Sequence, residues 1–456
     1  MASTETSIAA LRDSLRGHVI TPEGEGYDEA RTPFYGGIDR RPVAIARVAD
    51  ASDVARVVTL ARESGLELAV RSGGHSLAGH SVSDGGIVLD LSEMHRLQID
   101  AEGRAAWAEA GLTAGAYTAA AHEHGLATGF GDTGSVGIGG ITVAGGIGYL
   151  ARKYGLTIDS LLAAEVVTAD GEVLQVDGSS NPDLFWAIRG GGGNVGVVTR
   201  LHFRLHEVGT VVGGILILPA TPEVVAGFLA EADAAPNELS AIVNVMPAPP
   251  MPFVPEEHHG KLIVFALMVF AGPVEDGERV LAPFRALATP IADMLRPMPY
   301  PEIYLPDEEG YHPVGSVRSM FVDRIDEGLA GAILEHLEAS DAMMRVVQLR
   351  ALGGAVAEVP AESTAFAHRD ARIMANVAAL YERPEEAPAH EAWMRGLADA
   401  LDQGHPGVYV GFLGDEGEER VRAAYPASHW DRLAEVKRRY DPTNLFRLNQ
   451  NVPPEG

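Results

Sequence analysis

The chain has no cysteine among its 456 residues. Disulfides, thiolate metal sites and cysteine nucleophiles are therefore excluded together. Basic residues are also scarce: 35 Lys and Arg stand against 63 Asp and Glu, giving a formal charge of −28 and a pI near 4.9. Such a surface repels phosphate, and no basic stripe interleaved with aromatics offsets it, so nucleic acid is not an expected partner. No stretch of about 18 apolar residues occurs, which argues against a membrane span. The first residues, through Leu15, carry Glu5, Arg12 and Asp13 without an apolar run, unlike a signal peptide. The expectation is a cytoplasmic protein. Internal repeats and long low-complexity tracts are missing as well. What remains is a length beyond the roughly 250–300 residues at which one core stops growing. Its 46% apolar content is enough to fill two cores.

Glycine is plentiful, and its placement is uneven. Asp50 or Ser52 can N-cap a helix carrying Val54, Val57, Val58 and Ala61 on one face, with Gly65 closing it. Leu66, Leu68 and Val70 then alternate as a strand. That strand runs into Arg71-Ser72-Gly73-Gly74-His75-Ser76. Without Cβ atoms, Gly73 and Gly74 let the backbone approach a bulky ligand closely and leave the His75 imidazole projecting. A second stretch with little charge holds Gly134, Gly137, Gly139, Gly140, Gly145, Gly146 and Gly148. Its N–H groups could face a pyrophosphate or a flavin ring, or could close tight turns in a buried sheet.

The first half of the chain alternates short strands and helices from about Tyr27 to Leu205, consistent with an α+β domain. Ile87 to Leu91 reads as a buried strand, and Thr113 to His124 as a helix ended by Gly125. Asp170-Gly171 between two β-branched runs signals a hairpin, and Val197 to Leu205 alternates into a further strand. From Val208 to Phe412 the texture changes. Strands are expected at Ile215 to Leu218, Ile242 to Val245, Leu262 to Phe270 and Val346 to Leu349. Helices are expected near Glu223 to Ala232, Gly328 to Ala339 and His390 to Leu401, and Met246 to Pro255 as a Pro-rich loop. A last helix, His429 to Tyr440, is stopped by Pro442.

Four segments together resemble a known family. They are Val70 to His75; Val136-Gly137-Ile138-Gly139-Gly140 with Gly145 to Gly148; Asp183-Leu184-Phe185-Trp186-Ala187-Ile188-Arg189-Gly190-Gly191-Gly192; and Tyr440-Asp441-Pro442-Thr443-Asn444-Leu445-Phe446. The chain resembles the berberine-bridge-enzyme-like flavoproteins of the vanillyl-alcohol-oxidase and p-cresol-methylhydroxylase superfamily over nearly its whole length. Its pattern is also similar to 6-hydroxynicotine oxidases. The resemblance implies a two-domain α+β FAD fold: residues 1–207 as the first part of the FAD domain, 208–414 as a substrate domain with an antiparallel sheet, and 415–456 as a return to the FAD domain.

The resemblance further implies FAD bonded to His75 through its 8α carbon, with Arg71, Ser72, Gly73, Gly74 and Ser76 around it. Thr133, Gly134, Val136, Gly137, Gly140, Ile141, Gly145, Gly146 and Val198 would line the flavin, together with Asn449 and Asn451 from the tail. Many relatives add a second bond through cysteine at the place of Thr133. Threonine forms no thioether, so any attachment here is single. His80, five residues on, is a rival site, though the Gly-Gly pair favours His75. Val136 stands where a small side chain in the family accompanies reaction with oxygen.

Gly191-Gly192-Gly193-Asn194-Val195-Gly196 matches the dinucleotide spacing G-x-G-x-x-G, but a short helix (Pro182 to Ile188) precedes it and a β-branched run follows, the reverse of what that fingerprint needs. His122 with His124 and His258 with His259 lack ligand spacing, and no metal is expected. Tyr409, in Val408-Tyr409-Val410-Gly411-Phe412, resembles the family's catalytic tyrosine on a strand, although relatives usually carry asparagine where Gly411 stands. A phenol titrates near pH 10, so Tyr409 acting as a base needs a cationic or hydrogen-bonding neighbour. Arg350 is the candidate. By strand periodicity Arg350 shares a face with Gln348, which the resemblance turns toward substrate or flavin. The 6-hydroxynicotine oxidases are expected to carry lysine and glutamate at these two places. The expected partners are a small-molecule substrate and O2, with a flavin dehydrogenase or a non-catalytic flavin binder as alternatives. Nothing in the sequence selects among a sugar, a secondary-metabolite alcohol and a cyclic amine, or sets the oligomeric state.

Overall fold

Asp50 starts the helix Ala51–Ser64: its carboxylate accepts the N–H groups of Ser52 and Asp53, and Gly65 ends the helix at φ +68. Val54, Val57, Val58 and Ala61 on its inner face are fully buried. Each such valine contributes of order 1.5–3 kcal/mol of burial energy. The computed structural model describes residues 4–306 and 310–455. The strand after the helix, Leu68–Arg71, lies parallel to Ile87–Asp90, which is in turn parallel to Ala44–Arg47, and His18–Ile20 adds an antiparallel edge. The alternation expected at Leu66, Leu68 and Val70 gives way to burial of Leu68, Ala69 and Arg71. Parallel strands are commonly covered on both faces, so the period of two is lost.

A second, antiparallel sheet orders Leu97–Asp100, Ala105–Glu109, Val197–Arg204, Leu161–Val167 and Val173–Asp177. Asp170-Gly171 turns its hairpin, with Gly171 at φ +86. The third sheet is antiparallel throughout and has eight strands. Thr210–Pro219, Leu262–Phe270, Leu239–Pro247, Met344–Ala351, Ile373–Tyr381 and Val314–Val322 follow one another across it, with Ala292–Asp293 and Arg296–Pro299 both paired to Thr210–Pro219. The helices Pro222–Ala234, Val274–Ala286, Glu327–Ala339 and Ala387–Leu401 contribute to the core of this sheet through Phe228, Phe284, Ile333 and Leu397. Strand Leu239–Pro247 runs two residues into the expected Met246 to Pro255 loop.

The helix Ala427–Tyr440 buries Trp430, Leu433 and Tyr440 in the same cluster as Trp186 and Phe203 from the first half of the chain. At its end Lys437 is fully buried, ion-paired to Asp441 at 2.9 Å and donating to the Phe446 carbonyl at 2.7 Å. Asp441 accepts the N–H groups of Leu445 and Phe446 at 2.7 and 2.8 Å. This closed turn explains the Tyr440 to Phe446 sequence and aims the following residues back toward the glycine-rich segments. No helix among the described residues is long and apolar enough to cross a membrane.

Candidate functional site

A cavity of about 340 Å³ opens where the two glycine-rich segments, the tail and the large sheet meet. Ser72, Gly73, Gly74, His75 and Ser76 form one wall. Its backbone is locked to the second segment: Ser72 Oγ donates to the Ala110 carbonyl at 2.6 Å, and a Cβ at Gly73 would collide with the backbone nitrogen of Gly137. Gly74 has φ +77, a conformation costly for other residues. The His75 imidazole is held on two sides, by Phe34 stacked at 4.1 Å between centroids and by Ser135 Oγ at 3.1 Å from Nε2. His80 also lines the cavity, and burial pushes its pKa down to about 4.

Thr133, Val136, Gly137, Gly140 and Ile141 line the adjoining wall, at and before the helix Ile138–Ala144. Val198 and Asn449 are the remaining expected residues in the lining. Five expected contacts fall outside the lining. Arg71 is buried behind the wall, paired to Asp90 at 2.9 Å and donating to the Ala30 carbonyl. Gly134 packs against Tyr304, and Gly145 against Phe366 and Tyr409. Gly146 presents its N–H to Tyr409, and Asn451 lies in the tail beyond.

Asn194 pins the tail over the site. Its side chain donates to the Gly191 and Gln450 carbonyls at 2.8 and 3.1 Å and accepts the Val452 N–H at 2.8 Å. Gly190 and Gly192 both donate to the Val143 carbonyl, so Gly192 and Gly193 join the lining. The helix before these glycines, Pro182–Ala187, and the strand after them, Val197–Arg204, are the context that argued against a dinucleotide fingerprint.

The remaining wall carries the charge. Arg350 projects from the large sheet, 3% exposed, and its NH2 reaches Asp132 at 2.7 Å. The same guanidinium donates to Gln348 Oε1 at 2.8 and 3.0 Å and to the Ile147 carbonyl at 3.0 Å, and it lies 5.1 Å from the Phe412 ring centre. Gln348 therefore does share a face with Arg350; it is half-buried and holds the guanidinium without being among the residues that line the cavity. It sits in register with Asn244 and Asn376 on the flanking strands and donates to Asn244 Oδ1 at 3.0 Å.

Tyr409 lines the cavity at 3% exposure, but the strand expected over Val408 to Phe412 is not formed. Tyr409 is extended, and Val410–Phe412 then close a single 3₁₀ turn. The turn folds the phenol back onto Gly411, where a Cβ would lie 2.7 Å from the ring. The glycine does make room for the phenol, in a turn rather than along a strand. Burial pushes the Tyr409 pKa up to about 12; the Gly146 N–H at 3.0 Å and the Arg350 charge oppose that rise without reversing it. Arg350 is paired to Asp132, and its charge lowers the phenol's pKa less than burial raises it.

Two observations test whether FAD suits this cavity. A Cβ at Gly140 would meet nothing within 4 Å, so this glycine borders open space that a ligand can fill closely. The Oδ1 atom of Asn449, on the cavity wall, is buried with no protein hydrogen-bond partner, a costly state unless something else supplies one. The residues fit the group.

A family model described as an FAD binding domain matches residues 42–177, and one described as berberine and berberine like matches 408–453. The chain is 34% identical to (R)-6-hydroxynicotine oxidase of Paenarthrobacter nicotinovorans, covering 97% of this chain and 98% of the relative. It belongs to the berberine-bridge-enzyme-like family of FAD-linked oxidoreductases. The crystal structure of 6-hydroxy-D-nicotine oxidase from Arthrobacter nicotinovorans superposes with a TM-score of 0.85 at 30% identity, over 97% of this chain and 98% of that one. A glucooligosaccharide oxidase from Acremonium strictum, known with a 6-S-cysteinyl, 8α-N1-histidyl FAD, shares the fold with a TM-score of 0.85 at 24% identity over 98% and 99%. The fold is thus the α+β FAD-binding type of vanillyl-alcohol oxidase.

Within this family frame, the residues that sequence reading missed are Asp132, Asn244 and Asn376. Asp132 is directly before Thr133, yet its role becomes visible only through Arg350, 218 positions away. The two asparagines had a weak signal: each is a lone amide inside an apolar strand, Val243-Asn244-Val245 and Ala375-Asn376-Val377. Among the described residues no group of three or more His, Asp or Glu is arranged to hold a metal ion.

Proposed function

We propose that this chain is an oxidase carrying one covalent FAD on His75, in the part formed by residues 1–207 and 415–456, and that 208–414 supply the substrate wall. Its substrate is a small molecule with a C–H bond next to an alcohol oxygen or amine nitrogen. The observation that carries the reading is one cavity in which His75, the glycine cradle, Asp132, Tyr409 and Arg350 of the large sheet meet. FAD, when bound, would supply the hydride acceptor and the two-electron route to O2 that gives hydrogen peroxide.

The chain's own residues bind and orient. Phe34 and Ser135 fix the His75 ring, which favours bond formation at a defined nitrogen over a rotating one. The Gly-Gly-His order supports His75 over His80. Asn449 offers its unpaired Oδ1 atom to the cofactor. Tyr409 keeps its proton at neutral pH, and with Gly146 donating to its oxygen the hydroxyl hydrogen is left to donate to the substrate heteroatom. Gln348 acts by holding Arg350, not by touching substrate. The absence of cysteine limits attachment to one bond.

Mixing the protein anaerobically with candidate sugars, alcohols and cyclic amines tests this reading. At least one class is expected to bleach the flavin, and air is expected to restore the colour within seconds with peroxide formed. A flavin that no class bleaches contradicts the oxidase reading, and one that bleaches but recovers only over minutes replaces it with a dehydrogenase.

A further inference from the structure

Asp132 is the one carboxylate among the described residues lining the cavity. Its side chain is 22% exposed toward that space, while its partner Arg350 is 3% exposed. Four tyrosines, the buried Tyr149 and Tyr409 and the half-buried Tyr35 and Tyr304, surround it closely enough for its charge to raise the pKa of each. A carboxylate in such a place is held by something, and here the holder is itself held. Arg350 is fixed by Gln348, by the Ile147 carbonyl and by the Phe412 ring, and Gln348 is fixed by Asn244. The cross-strand register of Asn244, Gln348 and Asn376 makes this a rigid support on a sheet rather than a loop contact. The group the family resemblance favours as base, Tyr409, has its oxygen occupied by the Gly146 N–H and is a phenol that stays protonated.

We propose that Asp132, and not Tyr409, accepts the substrate's O–H or N–H proton, with Arg350 as the positioning residue that orients its carboxylate. This rests on the oxidase reading. The O–H or N–H bond breaks with its electron pair left on the heteroatom and the proton on Asp132. The neighbouring C–H pair leaves as hydride to FAD, the C=O or C=N bond forms, and the substrate loses two electrons that the flavin gains. The carboxylate oxygen not taken by Arg350 is the acceptor.

The alternative for Asp132 is a clasp that merely joins two parts of the chain. Wild-type, Asp132→Asn, Asp132→Glu and Tyr409→Phe holoproteins separate the two. Asp132→Asn is expected to slow anaerobic flavin bleaching by about 10²–10⁴, the usual worth of a general base, and to abolish the acid limb of the pH profile. Asp132→Glu is expected to restore part of the rate and the limb. Tyr409→Phe, losing one hydrogen bond, is expected to slow bleaching about 10-fold and keep the limb. A readout without turnover accompanies these: acid titration of the oxidised holoprotein is expected to shift the visible flavin band in the wild type and not in Asp132→Asn, which a clasp remote from the flavin would not produce. Asp132→Asn bleaching within 10-fold of wild type with its limb intact, or Tyr409→Phe losing the limb, overturns the assignment. A wild-type protein that no substrate class bleaches is a different failure, that of the oxidase reading, and removes the Asp132 assignment with it.

Discussion

Arg350 and Asp132 form a 2.7 Å ion pair between the large sheet and the second glycine-rich segment, and the pair is the charged centre of the cavity. Breaking it from one side leaves the other charge without compensation. Arg350→Met keeps an unbranched apolar stem, shorter than arginine, and removes the cation. For a fully buried pair such a loss costs about 3–5 kcal/mol, and because Asp132 keeps 22% of its surface the cost falls toward the lower end. The thermal midpoint of Arg350→Met is expected to drop, and that of Arg350→Met with Asp132→Asn to recover part of the loss. Strictly additive losses would show that the pair is not coupled.

Acid stability follows from two histidines kept neutral by desolvation, the buried His368 and the half-buried His206. Burial pushes the pKa of His206 and of His368 down to about 4, below the ordinary 6.5. The unfolded chain therefore binds protons that the folded chain refuses. The stability these groups contribute is complete above pH 6.5 and is lost as pH falls through 4. His368 donates from Nε2 to the Ala424 carbonyl at 3.1 Å, a bond glutamine can imitate without titrating. His368→Gln is expected to flatten the decline of the thermal midpoint between pH 6.5 and 4. Parallel slopes for variant and wild type would contradict this.

Oxygen access is expected to depend on Val136, which lines the cavity between Thr133 and Gly137. Val136→Ile adds one methylene, at a cost of about 1–3 kcal/mol of overpacking at most. Reoxidation of the reduced flavin by air is expected to slow while anaerobic bleaching by substrate stays near the wild-type rate. If both half-reactions are unchanged, Val136 is only a packed residue.

Sequence legibility followed the range of the interactions involved. The helix Ala51–Ser64 and the turn to His75 were readable because Asp50, Gly65, Gly73 and Gly74 act on neighbours a few residues away. The common face of Gln348 and Arg350 was readable from strand periodicity, but what that face touches was not. Strand Ile373–Tyr381 escaped notice because alanine, methionine and leucine favour helix in isolation, and only pairing on both edges makes this segment a strand. Tyr409 was found, but its strand was misread: the alternation of Val408, Val410 and Phe412 fits a strand and a turn equally well, and the phenol packed on Gly411 selects the turn. Asp132 was invisible because a loop aspartate acquires meaning only from a guanidinium on another sheet.

Covalent attachment through His75 is tested most directly by the mass of the purified chain after acid denaturation. The expected result is a chain heavier by one FAD, with the added mass on the peptide containing His75, absent in His75→Ala and retained in His80→Ala. A chain at its bare sequence mass, with all flavin recovered in the soluble fraction, would contradict the attachment.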